Sequence, residues 1–173
     1  MILPVLACLG VLLIGEGLGT WIGRKIVHIG IGCVVLSVNL TDDHTRLIAI
    51  VLGLAVSMAT YVSGSKLRIA HGDRDKGICV FALAVAITAA FFPDRPWQLA
   101  SFFFADPAGA IVGRTLQGPK LHGSKTILGT TAVLLAAYAC TRNWYHSACI
   151  AAIECFGGAW DNAFILGYIL LIS

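Results

Sequence analysis

The sequence predicts an all-α protein, a polytopic membrane bundle of about six to eight segments, some of them short or broken. Three observations predict it. The chain is 58% hydrophobic and only 12% charged, where a soluble domain carries about 25% charged residues. Its mean hydropathy is +0.86. Long apolar runs recur over the whole length, with no stretch of solvated composition large enough for a separate soluble domain. One compact transmembrane domain spanning 1–173 is therefore expected, and any chemistry must sit within it.

The apolar runs fall at roughly 2–22, 26–40, 47–63, 77–92, 97–113, 127–141, 145–157 and 163–173. A full span needs about 20 apolar residues, so several runs are short and the last two are the shortest. Short or glycine-broken segments are expected where helices stop inside a bilayer to line a polar cavity. The runs are read as six clear spans and a hairpin-like C-terminal pair. Residues 1–19 lack the flanks of a secretory signal and read as a retained first span. Cys8, Cys33, Cys79, Cys140, Cys149 and Cys155 lie scattered in apolar runs without a C-x-x-C pair, the pattern of small packed hydrophobes. Asn39-Leu40-Thr41 matches a glycosylation sequon by chance, and Glu16 in the first span has no assigned role.

Charge sets the orientation. The formal net charge of +3 is too small to point to nucleic acid, but its distribution is uneven. Threading the spans alternately puts Arg24, Lys25, Lys66, Arg68, Arg74, Lys76, Arg114, Lys120 and Lys125 on one side, and only Arg46, Arg95 and Arg142 on the other. The basic side is expected to be cytoplasmic, with the N-terminus outside.

The most informative stretch runs from Asp106 to Gly129. An ionisable side chain at membrane depth costs about 2.5–3.5 kcal/mol on insertion scales, so an acid there is a functional suspect. Asp106-Pro107 is expected to interrupt the helix, since proline lacks a donor and biases its predecessor away from helical geometry. A helix restarting beyond it would offer unpaired N–H groups and a positive dipole end to a phosphate. Gly109 and Gly113 allow close backbone approach, Arg114 follows, and a loop at 117–124 leads to Lys120, His122, Lys125, Thr126 and Gly129. Acid, glycines and cations together suit a nucleoside triphosphate with its metal ion. Lys125 and Arg114 are candidate phosphate clamps, and Asp106 a metal ligand or a base for an attacking hydroxyl. Gly109-x-x-x-Gly113 is equally the small-xxx-small pattern of helix packing. Gly118 to Thr126 is not a Walker motif, because Ser124 separates Gly123 from Lys125 and no strand is expected before it.

Two further clusters flank this stretch. Arg24, Lys25, His28 and Gly30 open the second run, and His28 shares a helix face with Arg24 one turn away. Either they anchor an interface and fill a core, or they join a site. Near the C-terminus, Glu154 is followed by Asp161-Asn162. These hard oxygen donors suit Mg²⁺ together with Asp106, and the alternative is a polar turn with a helix cap.

The three clusters, in this order, resemble the CTP-dependent lipid kinase family: the phytol kinases, dolichol kinases and CTP-dependent diacylglycerol kinases, grouped with the phosphatidate cytidylyltransferases. Arg24, Lys25, His28 and Gly30 match an early Arg-Lys-x-x-His with a following glycine. Asp106, Gly109, Gly113, Arg114, Lys125, Thr126, Gly129 and Thr130 match the central block, and Glu154, Asp161 and Asn162 the late one. The resemblance spans about residues 24–162. It departs from the family pattern at 66–76 and after Asn162, where Ala163 replaces a proline.

The resemblance implies a single transmembrane catalytic domain that moves the γ-phosphate of CTP to the hydroxyl of a membrane lipid alcohol. Asp106, Lys125 and His28 would be catalytic. Gly109, Gly113, Arg114, Lys120, Thr126, Gly129, Arg24 and Lys25 would bind the nucleotide, and Asp106, Glu154, Asp161 and Asn162 would hold Mg²⁺. The expected partners are CTP, a polyprenol-, dolichol-, phytol- or diacylglycerol-like alcohol and membrane lipids, without nucleic acid and with a homo-oligomer left open. The expected location is a prokaryotic cytoplasmic membrane, with the site facing the cytoplasm. Rival readings are a phosphatidate cytidylyltransferase, a small transporter whose acids line an ion path, and a structural bundle in which the glycines only pack.

Overall fold

The computed structural model describes residues 2–63 and 76–172. Lys66, Arg68 and Arg74 of the charge asymmetry, and the departure from the family pattern at 71–75, lie outside the described residues. Among those described are eight α-helices: α1 (Ile2–Leu18), α2 (Thr20–Ser37), α3 (Asp43–Ser63), α4 (Lys76–Phe91), α5 (Ala100–Thr115), α6 (Ile127–Thr141), α7 (Trp144–Phe156) and α8 (Asp161–Ile172). The all-α expectation holds apart from a small antiparallel ribbon, β1 (Lys120–His122) with β2 (Lys125–Thr126). The chain divides into two compact units, 1–96 and 97–173.

The first unit is built from two helical hairpins. α1 and α2 meet where glycine removes a side chain. A Cβ on Gly15 would stand 2.5 Å from Val27 Cγ2 and 3.0 Å from the Gly23 carbonyl, and one on Gly30 would meet Val11. The expected first run to residue 22 breaks earlier, at Gly19, whose φ of 84° is a left-handed conformation that glycine adopts freely. Consequently α2 begins at Thr20, and Arg24 and Lys25 lie one turn inside it instead of ahead of it. α3 is capped by Asp42, whose Oδ2 accepts from both Thr45 N and Thr45 Oγ1 at 2.8 Å. Those hydrogen bonds hold the Asp42 carboxyl below its usual range. α3 and α4 approach at Gly53, where an added Cβ would stand 2.7 Å from the Ala82 carbonyl. By length and composition, Asp43–Val62 is the one stretch among the described residues able to cross a membrane as a single helix, and only 11% of it is buried.

The second unit packs α5 against α6, α6 against α7 and α7 against α8. Its helices are short, at 16, 15, 13 and 12 residues. Gly109 and Gly113 on α5 face Gly129 on α6: a Cβ on Gly129 would lie 3.0 Å from the Gly109 carbonyl and 3.2 Å from Gly113 Cα. The small-xxx-small reading is the one the geometry shows.

Asp106-Pro107 does not interrupt α5, which runs unbroken with Pro107 inside it. Proline in a helix interior costs about 3 kcal/mol. Here apolar runs extend on both sides, and Phe102, Phe103, Ala105 and Pro107 are all buried, so packing outweighs the local preference. The anion-binding helix start expected after Asp106 is therefore absent. The helix start nearby is that of α6, and it is capped: Thr126 Oγ1 accepts from Gly129 N at 3.0 Å.

Candidate active site

Four ionisable residues from four elements of the second unit converge. Lys125 begins β2, two residues before α6. Its ammonium donates to Glu154 Oε1 on α7 and lies 3.4 Å from Asp161 Oδ2 at the start of α8. The Glu154 side chain is 4% exposed, against 27% for Lys125. Asp106, buried in the middle of α5, is close enough that its charge acts on both Lys125 and Glu154.

Local chemistry explains each placement. The ribbon delivers Lys125: Gly123 takes a φ of 54° to turn β1 into β2, and Ile127 N donates to the Pro119 carbonyl at 2.9 Å. The His122 ring lies 5.1 Å from that of Phe156, bringing β1 against the end of α7. A loop was expected at 117–124. The ribbon forms instead, because two short segments exchange their backbone bonds across a turn that glycine makes possible.

Gly157 and Gly158 set the turn from α7 to α8. A Cβ on Gly157 would stand 2.6 Å from the Ile153 carbonyl and 2.8 Å from Asp161 Cα, and Gly158 has a φ of 58°. This close turn returns Asp161 to the end of α7 that carries Glu154. Sequence reasoning overlooked these two glycines, although a Gly-Gly pair between apolar runs is a turn signal. Asp161 is the first residue of α8 and already in helical geometry; its Oδ1 accepts from Asn162 N at 2.7 Å, and Oδ2 lies 3.4 Å from the Lys125 ammonium.

Burial pulls the Lys125 ammonium down, the largest single influence. The hydrogen bond to Glu154 and the charges of Glu154, Asp161 and Asp106 together outweigh it and hold the pKa above the ordinary lysine value. Lys125 therefore carries its charge throughout the physiological range. It has three donors, and the two carboxylates engage two of them.

The remaining expected residues divide into three groups. Thr126 caps α6, and Gly109, Gly113 and Gly129 seat α5 on α6. Arg114 ends α5, where its charge complements the helix dipole. It is exposed there, as Lys120 is on β1. Arg24, Lys25 and His28 belong to the first unit, where His28 is buried and stacks on Phe81 with ring centroids 4.2 Å apart. The role expected of these three rests on the resemblance.

Among the described residues no three His, Cys, Asp or Glu side chains are gathered as a ready metal site. The ammonium of Lys125 occupies the space between Glu154 and Asp161. The donor chemistry nevertheless fits a hard divalent cation. Asp106, Glu154 and Asp161 outnumber the one lysine, and the buried Asn162 Oδ1 has no hydrogen-bond partner. No protein-family model, curated protein or solved structure matches the chain.

Proposed function

We propose that the chain is a polytopic membrane phosphotransferase that moves the terminal phosphoryl group of CTP onto the hydroxyl of a lipid alcohol at the cytoplasmic face. The observation that carries this reading is Lys125 held between Glu154 and Asp161, with the charge of Asp106 acting on it. The resemblance of the three residue clusters to the CTP-dependent lipid kinases supplies the nucleotide and the substrate class.

Membrane embedding is supported by the surface. Large apolar side chains stand exposed along the helices, among them Leu13 at 74% and Leu171 at 88%, far beyond the scattered apolar residues of a soluble monomer. The helices of the second unit are short for a bilayer: α6, at 15 residues, spans about 22 Å against a hydrocarbon thickness of about 30 Å. Local thinning or a polar cavity at one end accommodates such a mismatch. The end at which Lys125, Glu154 and Asp161 meet is where polar residues gather.

Phosphoryl transfer needs positioning and charge stabilisation more than covalent help from the protein. Lys125 stays protonated, and its third N–H is directed to a phosphate oxygen while Glu154 and Asp161 fix its orientation. Arg114 and Lys120 add positive charge for the nucleotide. The lipid hydroxyl oxygen bonds to the terminal phosphorus as the bond from phosphorus to the CDP oxygen breaks, and a carboxylate of the cluster takes the hydroxyl proton. Asp106 is the acid that the resemblance places at the centre of this step. Mg²⁺ held by the acids and Asn162 would supply charge neutralisation across the phosphates.

Purified protein in detergent, offered γ-labelled CTP or ATP with Mg²⁺ and a panel of phytol, polyprenol, dolichol and diacylglycerol, tests the proposal. Transfer of label from CTP to one lipid is the expected result. Formation of CDP-lipid and pyrophosphate from phosphatidate would replace it with cytidylyl transfer. Ion flux in liposomes with no nucleotide turnover would replace it with transport.

A further inference from the structure

The ammonium of Lys125 is held by two unequal contacts. It donates to Glu154 Oε1, on a side chain that is 4% exposed, and lies 3.4 Å from Asp161 Oδ2, on a side chain that is 18% exposed. The second distance is longer than the usual range of about 2.7–3.2 Å for an N–H···O bond. Asp161 Oδ1 is already engaged by Asn162 N at 2.7 Å, so Oδ2 is the oxygen this side chain offers to a cation. Lys125 is therefore anchored on Glu154 and only leans on Asp161.

The cation in this place is monovalent, yet the donors that gather there are those a hard divalent cation takes: the side-chain oxygens of Asp106, Glu154 and Asp161 and the amide oxygen of Asn162. Asn162 is 8% exposed, and its Oδ1 has no hydrogen-bond partner. A buried acceptor left unpaired is unfavourable and calls for an explanation. A lysine tethered two residues before α6 reaches the carboxylates without supplying that oxygen, whereas a free metal ion accepts several oxygens at once.

We infer that Lys125 is a built-in competitor of a divalent cation for Asp161: its ammonium takes Oδ2 while the nucleotide is absent, and cedes it, keeping Glu154, when metal and phosphate arrive together. The Asp161 contact thus orients the ammonium until a phosphate oxygen takes over the released N–H. This inference rests on the phosphotransferase reading for that phosphate, but the competition itself needs neither nucleotide nor lipid. If Oδ2 is free about one tenth of the time, the cation binds about tenfold more weakly than it otherwise would. Metal and nucleotide then strengthen each other's binding, and the effect is reciprocal.

The test is binding of Mn²⁺ alone to the full chain in detergent, read from the loss of the free-ion electron paramagnetic resonance signal. Lys125→Met should bind Mn²⁺ about tenfold more tightly than the unaltered protein, and Asp161→Asn added to it should remove the gain. Lys125→Met is also expected to weaken the fold, so a second measurement uses the unaltered protein. Mg²⁺ should speed acetylation of Lys125 by an N-hydroxysuccinimide ester severalfold, mapped by mass spectrometry, with the exposed Lys120 as an unchanged reference. Equal or weaker Mn²⁺ binding by folded Lys125→Met, a gain that survives Asp161→Asn, or acetylation of Lys125 indifferent to Mg²⁺ would each overturn the competition. Tightened Mn²⁺ binding with no phosphorylation of any lipid would keep the competition and sink the kinase reading instead.

Discussion

The ammonium of Lys125 donates to Glu154 Oε1 across 29 positions of sequence, joining the strand that leads into α6 to the last turn of α7. Glu154 is almost fully enclosed and Lys125 partly so, and the lysine is the opposite charge that faces the buried carboxyl group. Asp161 reinforces it from α8. One side chain thereby ties three elements and supplies a fixed cation at their meeting point.

Lys125→Met should abolish lipid phosphorylation, with a loss of at least 10²–10³ in kcat, as removal of a single fixed charge-stabilising donor does. It should also destabilise the protein, because removing one partner of an enclosed pair leaves a carboxylate that must be protonated or desolvated. Lys125→Met combined with Glu154→Gln should recover much of the lost thermal stability and none of the activity. Recovery of turnover in the double variant would show that the pair is structural only.

Asp106→Asn keeps the size of the side chain and removes its charge. Membrane insertion and thermal stability should stay near wild type, and label transfer from γ-labelled CTP should fall below detection. Full activity in this variant would remove Asp106 from the mechanism.

The pH dependence of the lysine cluster follows from its sign. The Lys125 pKa is raised in the folded protein, so its contribution to stability is complete below the unfolded lysine value of about 10.4. It is lost only as pH rises through the higher folded value. Thermal unfolding in detergent should show no loss attributable to Lys125 between pH 6 and 9, and a fall above pH 10 that Lys125→Met does not share. A lysine-dependent loss near neutrality would contradict this geometry.

Gly109→Ala places a methyl group 2.4 Å from Val133 Cγ2, and should destabilise the α5–α6 pairing by about 1–3 kcal/mol, the range for overpacking. Val133→Ala added to it should restore part of the loss, since the main obstacle is a side chain and not backbone. The two substitutions should therefore be strongly non-additive in a double-mutant cycle read by thermal unfolding. Additive effects would place the sensitivity of Gly109 elsewhere than in this contact.

Much of this was legible beforehand. The apolar run at 127–141 coincides with α6, and the other helices end within about four residues of their runs, except that α2 starts at Thr20, well ahead of the run expected from 26. The ionisable residues that meet in the second unit were all singled out as candidates. Three features were not legible. Pro107 was expected to break α5, but a local preference worth a few kcal/mol yields to burial on both sides. The ribbon at Lys120–Thr126 is short, with β1 exposed and β2 half-buried, so it has no hydrophobic period to reveal it, and only Gly123 hints at the turn. The glycine row at 109, 113 and 129 could equally cradle a ligand or pack a helix, and nothing within the segment distinguishes the two.

Composition and hydropathy by themselves determined that this chain is helical and strongly apolar, and that Asp106, Lys125, Glu154 and Asp161 are its conspicuous polar residues. These properties depend on neighbours a few positions apart. Only the tertiary structure decided that Lys125 stands between Glu154 and Asp161 and that the glycines of α5 and α6 face one another. Those outcomes depend on which helix packs on which, and that is set by backbone approach at Gly109 and Gly129, between segments about 20 residues apart, and by the local turn at Gly157.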